Sequence, residues 1–325
     1  MMQNVVKKPP FVSIIIPLYD AESFIRDTIE SALRQSYENF ELIIIDDQSH
    51  DRSAEIAREY LSDRRVCIYE NKNNCGVSHT RNHGIRLAQG DFIALLDSDD
   101  IWLPHYLETQ ICILVDHPDI ALLGCDFDFI DESGNDITPQ EVKEARKNRG
   151  DTTTLTEYSI NDLFETSPLI PSTWLAKRDT FHKTGLFKEH LKVCEDHEVI
   201  LGMCMLGRIC ETRDIMVLYR KHPNQLTSKD ELFLEFRVAA FESFVKNFPK
   251  APVRIGLSSF NYRMGGLHQT AGDHYFWNKQ NYKKACSSYV RSLHYSTRTF
   301  SRWRNFLFAL LPCQLHRFAR KILGR

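Results

Sequence analysis

Four short aliphatic runs in the first hundred residues, separated by segments of helical periodicity, constrain the fold more than any other feature. Val12–Ile16 (VSIII), Leu42–Ile45 (LIII), Val66–Tyr69 and Phe92–Leu96 are near-continuous apolar stretches rather than alternating ones. For the first two that is the pattern of strands covered on both faces, and the other two read as a third and a fourth strand. Between them Phe24, Thr28, Ile29, Ala32 and Leu33, then Ser53–Leu61, then Ser78–Ala88 read as helices. Pro17 is expected to stop the first strand, Asp20 to cap the first helix and Gly90 to close the third. Such alternation specifies a largely parallel α/β sheet with helices on both faces. Ligands of these sheets sit outside the carboxyl ends of the strands. Here those ends carry Pro17-Leu18-Tyr19-Asp20, Asp46-Asp47 and Asp97-Ser98-Asp99-Asp100.

The later chain is more mixed. Tyr106–Asp116 and Glu195–Leu206 read as helices, and Ala121–Ile130, the STWLA stretch and Ile215–Arg220 as strands. Asp131–Thr154 is polar and is expected to include a mobile loop. With Ser167–Trp174 it is expected to shape acceptor choice. From Lys229 onward the sequence is helical in character without strand punctuation, so a boundary is expected at 228/229.

Two carboxylates about 4 Å apart repel by ~4 kcal/mol at a semi-exposed site, so the three acids of Asp97–Asp100 need a cation or a ring of donors. A dinucleotide fold would need a Gly-rich turn after the first strand, and no GxGxxG or GxxxxGK[ST] occurs. Any nucleotide must be held by side chains and a metal. Asp97-x-Asp99 offers hard oxygen ligands suited to Mg2+ or Mn2+. By spacing alone it is better explained as a polar turn or a helix cap before Trp102. Cys194, Cys204 and Cys210 lack zinc-ligand spacing, and the nine cysteines read as reduced thiols.

Taken together, VSIIIPLYD (12–20), ELIIIDDQSHDRS (41–53), NCGVSHTRNHGIRLAQGDFIALLDSDD (74–100) and CEDHEVILGM (194–203) resemble the family-2 glycosyltransferases of GT-A fold. The resemblance covers about residues 11–228. It implies a nucleotide-sugar half at about 11–103, an acceptor half at 104–228 and a helical C-terminal extension at 229–325. It implies that Pro17, Tyr19 and Asp20 lie beside the nucleotide, Asp20 standing where the family usually has Asn. It implies that Asp47 binds the base, that Arg81 faces the nucleotide, and that Asp97 and Ser98 lie near the ribose or sugar. Asp99 is then the direct metal ligand with Asp97 beside it, and Asp100 a structural cap. Asp196 is the general base of an inverting transfer and Glu195 the second candidate. Tyr219–Ser228 resembles the family's YRxHxxxxS segment, in which His222 would ligate the metal or touch the diphosphate and Arg220 would pair with phosphate.

The resemblance implies single hexosyl transfer from a UDP-, GDP- or dTDP-sugar to a hydroxyl acceptor, a lipid-linked saccharide in surface-polysaccharide synthesis (O-antigen, capsule or exopolysaccharide). No QxxRW motif of processive synthases is present. A sugar nucleotidyltransferase would show a Gly-rich loop near the first strand. A non-catalytic nucleotide- or glycan-binding relative would have lost the DxD or the ED acid, and both are intact.

All 43 acids lie at or before Asp273, and 11 of the 41 basic residues follow it. Thr299–Arg325 interleaves arginine with Phe, Leu and Trp, so an amphipathic segment on an anionic membrane surface is expected. Nucleic acid is not an expected partner, because the acidic body would repel its backbone. The N-terminal MMQNVVKKPP has no apolar h-region. The expected location is the cytoplasm, at the inner face of the membrane.

Overall fold

The computed structural model describes residues 9–149, 155–223, 225, 230–295 and 300–310. The chain divides into two compact units, Met1–Ser228 and Lys229–Arg325.

The first unit is built on one sheet. Its strands are β1 (Val12–Leu18), β2 (Phe40–Asp46), β3 (Val66–Glu70), β4 (Phe92–Leu95), β5 (Ile101–Trp102), β6 (Ile120–Ile130), β7 (Thr156–Tyr158), β8 (Leu175–Lys177) and β9 (Arg208–Arg220). Their order is β3-β2-β1-β4-β8-β6-β9-β5, with β7 also paired to β9. The β3-β2-β1-β4 half is wholly parallel. β8 runs antiparallel to both β4 and β6, and β6 and β9 are parallel, so β1, β2, β4, β6 and β9 all point their carboxyl ends to one edge. The sheet is therefore parallel in its first half and mixed in its second.

Helices α1 (Ile25–Leu33), α2 (Ser53–Arg58), α3 (Val77–Leu87), α4 (Tyr106–Asp116), α5 (Gln140–Lys147), α6 (Ile160–Glu165), α7 (Arg178–Thr184) and α8 (Glu195–Cys204) complete the unit. β1 is buried along its whole length, as its unbroken apolar run requires. On one face Ile14 and Ile16 join Ile25, Ile29, Trp102, Tyr106 and Leu107 in the main core. On the other, α3 comes so close that a Cβ on Gly84 would stand 2.5 Å from Ile15 Cγ2. Glycine is the residue that permits this approach.

Three local expectations are corrected. β1 runs through Pro17 to Leu18 instead of stopping there. The Ile15 carbonyl accepts from Leu96 N, so Pro17, two residues on, faces the same side but past Leu95, the last β4 residue paired to β1. No ladder partner awaits its missing N–H. Asp20 does not cap α1, whose N-cap is Phe24 without a side-chain bond. Gly90 does not close α3, which ends at Ala88. A Cβ there would meet Ser13 N at 2.5 Å, so it marks close backbone passage. The polar Asp131–Thr154 stretch also holds a helix, α5.

The second unit is helical in its described residues: α9 (Asp230–Asn247), α10 (Ala251–Ile255), α11 (Leu257–Asp273) with a π-turn at His274–Asn278, α12 (Tyr282–Tyr295) and α13 (Phe300–Ala309). Of the basic tail 299–325, only 300–310 lie within the described residues. No helix among the described residues is long and apolar enough to cross a membrane. The eight described cysteines are free thiols.

Candidate active site

The turns after β1 and β2 fix each other. Asp20, at φ 44°, accepts from His50 N at 2.7 Å, while its own N–H donates to Ser49 Oγ and Ala21 N to Ser53 Oγ. Asp46 closes its turn by accepting from Ser49 N and Oγ, with Gln48 in the left-handed region at φ 65°. Tyr19 stands at this edge 44% exposed. Asp47 is only 3% exposed. Its carboxylate accepts from Asn71 Nδ2 (2.7 Å), Cys75 N (3.0 Å) and Gly76 N (2.7 Å), and so ties the loop entering α3 to the end of β2.

The acids after β4 have separate fates. Asp100 is fully buried and accepts from Ser172 Oγ and from Arg220 N. Burial, then the neighbouring Asp99 and Asp97, push its carboxyl well above the usual range. It is an internal anchor joining β4, β9 and the Pro171–Thr173 turn. Ser98 is held through its carbonyl by Thr28 Oγ1 at 3.0 Å. Asp99 Oδ2 lies 2.9 Å from His222 Nε2, and the His222 ring packs on Phe24 at 4.9 Å. Arg220 is not open to a phosphate. It is 1% exposed, and its guanidinium donates to the Asp99, Asp131 and Glu132 carbonyls and to Asp27.

Asp97 meets Arg81. The Arg81 Nη2 donates to Asp97 Oδ1 at 2.7 Å and Nη1 to Glu195 Oε1 at 2.8 Å, with the guanidinium over the Phe187 ring at 5.3 Å. The arginine is 3% exposed, so it is not a solvated helix residue, and both Nη groups are taken by carboxylates. The partners pull in different directions. Burial raises the Asp97 carboxyl although Arg81 lowers it. Burial opposes the Arg81 charge, yet Asp97 and Glu195 outweigh it and raise that group too. A guanidinium does not give up its proton in a protein, so the pair is ionic. Glu195 is pushed up to about 7, by burial first and then by Asp196, against the pull of Arg81.

Cys194, at φ 63°, turns the chain into α8 and sets Glu195 and Asp196 in its first turn. A non-glycine residue in that region stores strain, a feature that concentrates at functional sites. Asp196 Oδ1 accepts from His197 N at 2.7 Å. The edge thus gathers Asp97, Asp99, Glu195 and Asp196 around one buried arginine and one histidine. By contrast, a surface cavity of about 590 Å³ lined by Phe11, Phe40, Arg64 and Arg65 flanks the opposite ends of the strands and holds none of these groups.

Comparison with known proteins decides the family. The sequence model described as "Glycosyl transferase family 2" matches residues 13–185, more than half the chain. The chain belongs to glycosyltransferase family 2. An uncharacterized glycosyltransferase of Rickettsia typhi is 30% identical over 258 residues, 77% of this chain and 76% of its own. Among solved structures, Staphylococcus aureus TarS 1–349 superposes with a TM-score of 0.66 at 17% identity, covering 95% of this chain and 91% of its own. The mannosyltransferase PcManGT of Pyrobaculum calidifontis, solved with GDP-Man and Mn2+, gives 0.60 at 16% identity over 92% and 79%. These likenesses establish the GT-A architecture, and the chain is a glycosyltransferase.

In this family-2 member the sequence motifs located the acids but missed what holds them. Ser172 contacts both Asp97 N and Asp100, Asn71 fixes Asp47, and Thr28 grips Ser98. Nothing near these residues in sequence marks them, because each partner lies on a distant element.

Proposed function

We propose that this glycosyltransferase moves a single sugar from a nucleotide-diphosphate donor to a hydroxyl of a lipid-linked glycan, with inversion at the anomeric carbon and the help of a divalent cation. The observation that carries the reading is Arg81, one guanidinium that ties the strand-end acid Asp97 to Glu195 at the start of α8. The donor-side acids and the acids opening α8 are therefore members of one cluster.

On the donor side, the exposed Tyr19 ring and Pro17 flank the nucleotide, with Asp20 fixing their turn. Asp47 meets the base with the acceptor capacity left after its three N–H partners, and Ser98 and Asp97 lie along the ribose and sugar. Residues 11–103 form this half and 104–228 the acceptor half.

Asp99 and His222 fit a divalent cation: a carboxylate oxygen and an imidazole nitrogen, 2.9 Å apart and both largely buried. Among the described residues no group of three His, Cys, Asp or Glu side chains is arranged to hold an ion. Water and diphosphate oxygens would complete the shell, as is usual for Mg2+ and Mn2+, with Asp97 as a near neighbour; the imidazole favours Mn2+. When bound, the cation neutralises charge developing on the diphosphate leaving group.

Asp196 is the base. It takes the proton of the acceptor hydroxyl as that oxygen bonds to the anomeric carbon and the bond to the diphosphate oxygen breaks on the opposite face. Glu195, held by Arg81, orients this turn of α8. Purified protein with a panel of UDP-, GDP- and dTDP-sugars should release nucleoside diphosphate in a metal-dependent way, and Asp99→Ala should abolish it. Nucleotide binding without turnover on any donor–acceptor pair would sink the reading. Retention of anomeric configuration in the product would remove Asp196 from its role.

A further inference from the structure

The three donors to Asp47 are all uncharged: Asn71 Nδ2, Cys75 N and Gly76 N. Two are backbone groups of the loop entering α3, where Gly76 stands at φ 85°. The third is a side chain, and it is built into its place. Asn71, just past β3, is 4% exposed. Its N–H donates to the Asp46 carbonyl at 2.8 Å, and its own carbonyl accepts from Gln48 Nε2 at 2.6 Å. Its Nδ2 donates to Asp47 Oδ1 at 2.7 Å and to Thr80 Oγ1 at 3.1 Å. Thr80 accepts there because its own hydroxyl hydrogen goes to the Gly76 carbonyl at 2.9 Å. Both amide hydrogens are thus committed, and the amide has one orientation. Asn71 Oδ1 then faces His83 Nδ1 at 2.8 Å. A carbonyl oxygen only accepts, so this ring nitrogen carries the hydrogen. Burial, then His79 and Arg86, hold the ring below the usual histidine range, which keeps it neutral at pH 7.

We infer that Asn71 and His83 are positioning residues for the donor's base: a directed chain of hydrogen bonds, from the His83 ring through the Asn71 amide, aims the Asp47 carboxylate at the nucleotide. A carboxylate has about four lone-pair sites, and the three N–H donors leave one for a ligand. Tying the loop to the sheet does not require the chain. The Asn71 backbone already bonds to Asp46 and Gln48, and Cys75 and Gly76 already reach Asp47. A buried network with every member satisfied holds one arrangement, so the base meets an acceptor whose ordering was completed on folding. Thr80 and His83, three residues apart on α3, supply the far side of the network from one helix face. The inference rests on the reading of Asp47 as the base contact and adds what sets that contact; neither Asn71 nor His83 touches the base in it.

The test is calorimetric titration of the full chain with UDP, dTDP and GDP in turn, and with inorganic pyrophosphate, all with Mn2+. For the nucleoside diphosphate that binds tightest, Asn71→Leu should lose about tenfold in affinity and His83→Leu about threefold. His83→Asn, whose amide can stand where the ring Nδ1–H stood, should return to within about twofold of the wild type. Pyrophosphate has no base and should bind all four proteins alike. With a sugar donor the loss should appear in KM and leave kcat in place, as for an interaction equal in ground and transition states. An equal loss for pyrophosphate, or equal behaviour of His83→Leu and His83→Asn, would make the pair structural supports and overturn the inference. So would an Asn71→Leu variant that binds nucleotide as the wild type does, or ring nitrogen NMR signals that show His83 with a bare Nδ1. A wild type that binds none of the three nucleotides would remove the base reading of Asp47, and this inference with it.

Discussion

Arg81→Met is the most informative single change, because it removes a charge while keeping an apolar stem. In the native protein the Arg81 side chain is 4% exposed, and its two Nη groups sit 2.7 Å from Asp97 and 2.8 Å from Glu195, whose side chains are 27% and 10% exposed. Taking one partner from a buried ion pair costs about 3–5 kcal/mol, since the remaining charge stays desolvated. Two features hold the cost near the lower end. Asp97 reaches water, and Glu195, already pushed up to about 7, escapes by taking a proton. With about 3 kcal/mol lost, and 2–4 °C per kcal/mol for a domain of this size, the melting temperature should fall by roughly 6–12 °C.

Activity should fall further than stability requires. Asp97 and the first turn of α8 lose their common anchor, and a displacement of about 1 Å in a reacting constellation costs on the order of 100-fold in kcat. The pH dependence carries the sign. Arg81 lowers the Glu195 carboxyl, so without it the proton is held to higher pH and the acidic limb of the kcat profile moves upward. Arg81→Lys should recover only part, because a single ammonium cannot fork to two carboxylates. Calorimetry and kcat against pH check the set. A methionine variant with wild-type melting and kcat refutes the reasoning. A change confined to the donor KM, with an unmoved pH profile, would instead put Arg81 on the nucleotide.

Three other outcomes follow from the geometry. His222→Ala should weaken Mn2+ activation of nucleoside diphosphate release, and Asp99→Ala should remove it; an unchanged Mn2+ titration in the histidine variant would take His222 out of the metal set. Gly84→Ala should cost about 1–3 kcal/mol by overpacking, since its Cβ would stand 2.5 Å from Ile15 Cγ2; a wild-type urea midpoint would mean that α3 shifts freely. His268, on α11, is pushed down to about 4 by burial and by Arg291, so its contribution to stability is complete above about pH 6.5 and is lost as pH falls toward 4. Urea unfolding at pH 5 and 7 should show a smaller difference for His268→Gln than for the wild type, and an equal difference would contradict the assignment.

The first-half topology was legible because VSIII and LIII have one stable use, as strands covered on both sides, whereas β3, at the sheet edge, is buried only at Val66 and exposed at Tyr69 and Glu70. The same runs announced where a site would lie, since three of the four lead into acids at the edge where ligands of such sheets bind. Terminal details were less legible where two physical causes compete at one residue. Pro17 forbids a ladder donor, but its neighbour strand has already ended, so β1 continues. Asp20 could cap a helix, but its carboxylate is taken by His50 N. Asp100 illustrates the wider limit. From sequence it is one of three adjacent acids, whereas in the structure it is the buried anchor for Ser172 and Arg220, 72 and 120 residues away.

The pairings that give each acid its character are all of this long-range kind. Arg81 meets Glu195 across 114 residues, and His222 meets Asp99 across 123. Local pattern specifies which residues reach the edge, because that depends on strand ends alone. It cannot specify which acid is neutralised by arginine, which faces histidine and which is buried, because those depend on how β9 and α8 return to the sheet. The acid-rich sequence DSDD is tolerable because its three carboxyls go to different partners, Asp97 to Arg81, Asp99 to His222 and Asp100, pushed well up by burial and by its two neighbours, to Ser172 Oγ and Arg220 N. A change that disturbs one partner should therefore leave the other two acids in place. Double-mutant cycles between Arg81 and His222 should then come out additive to within about 0.5 kcal/mol in stability. Coupling well beyond that would mean that the three acids respond as one charge cluster.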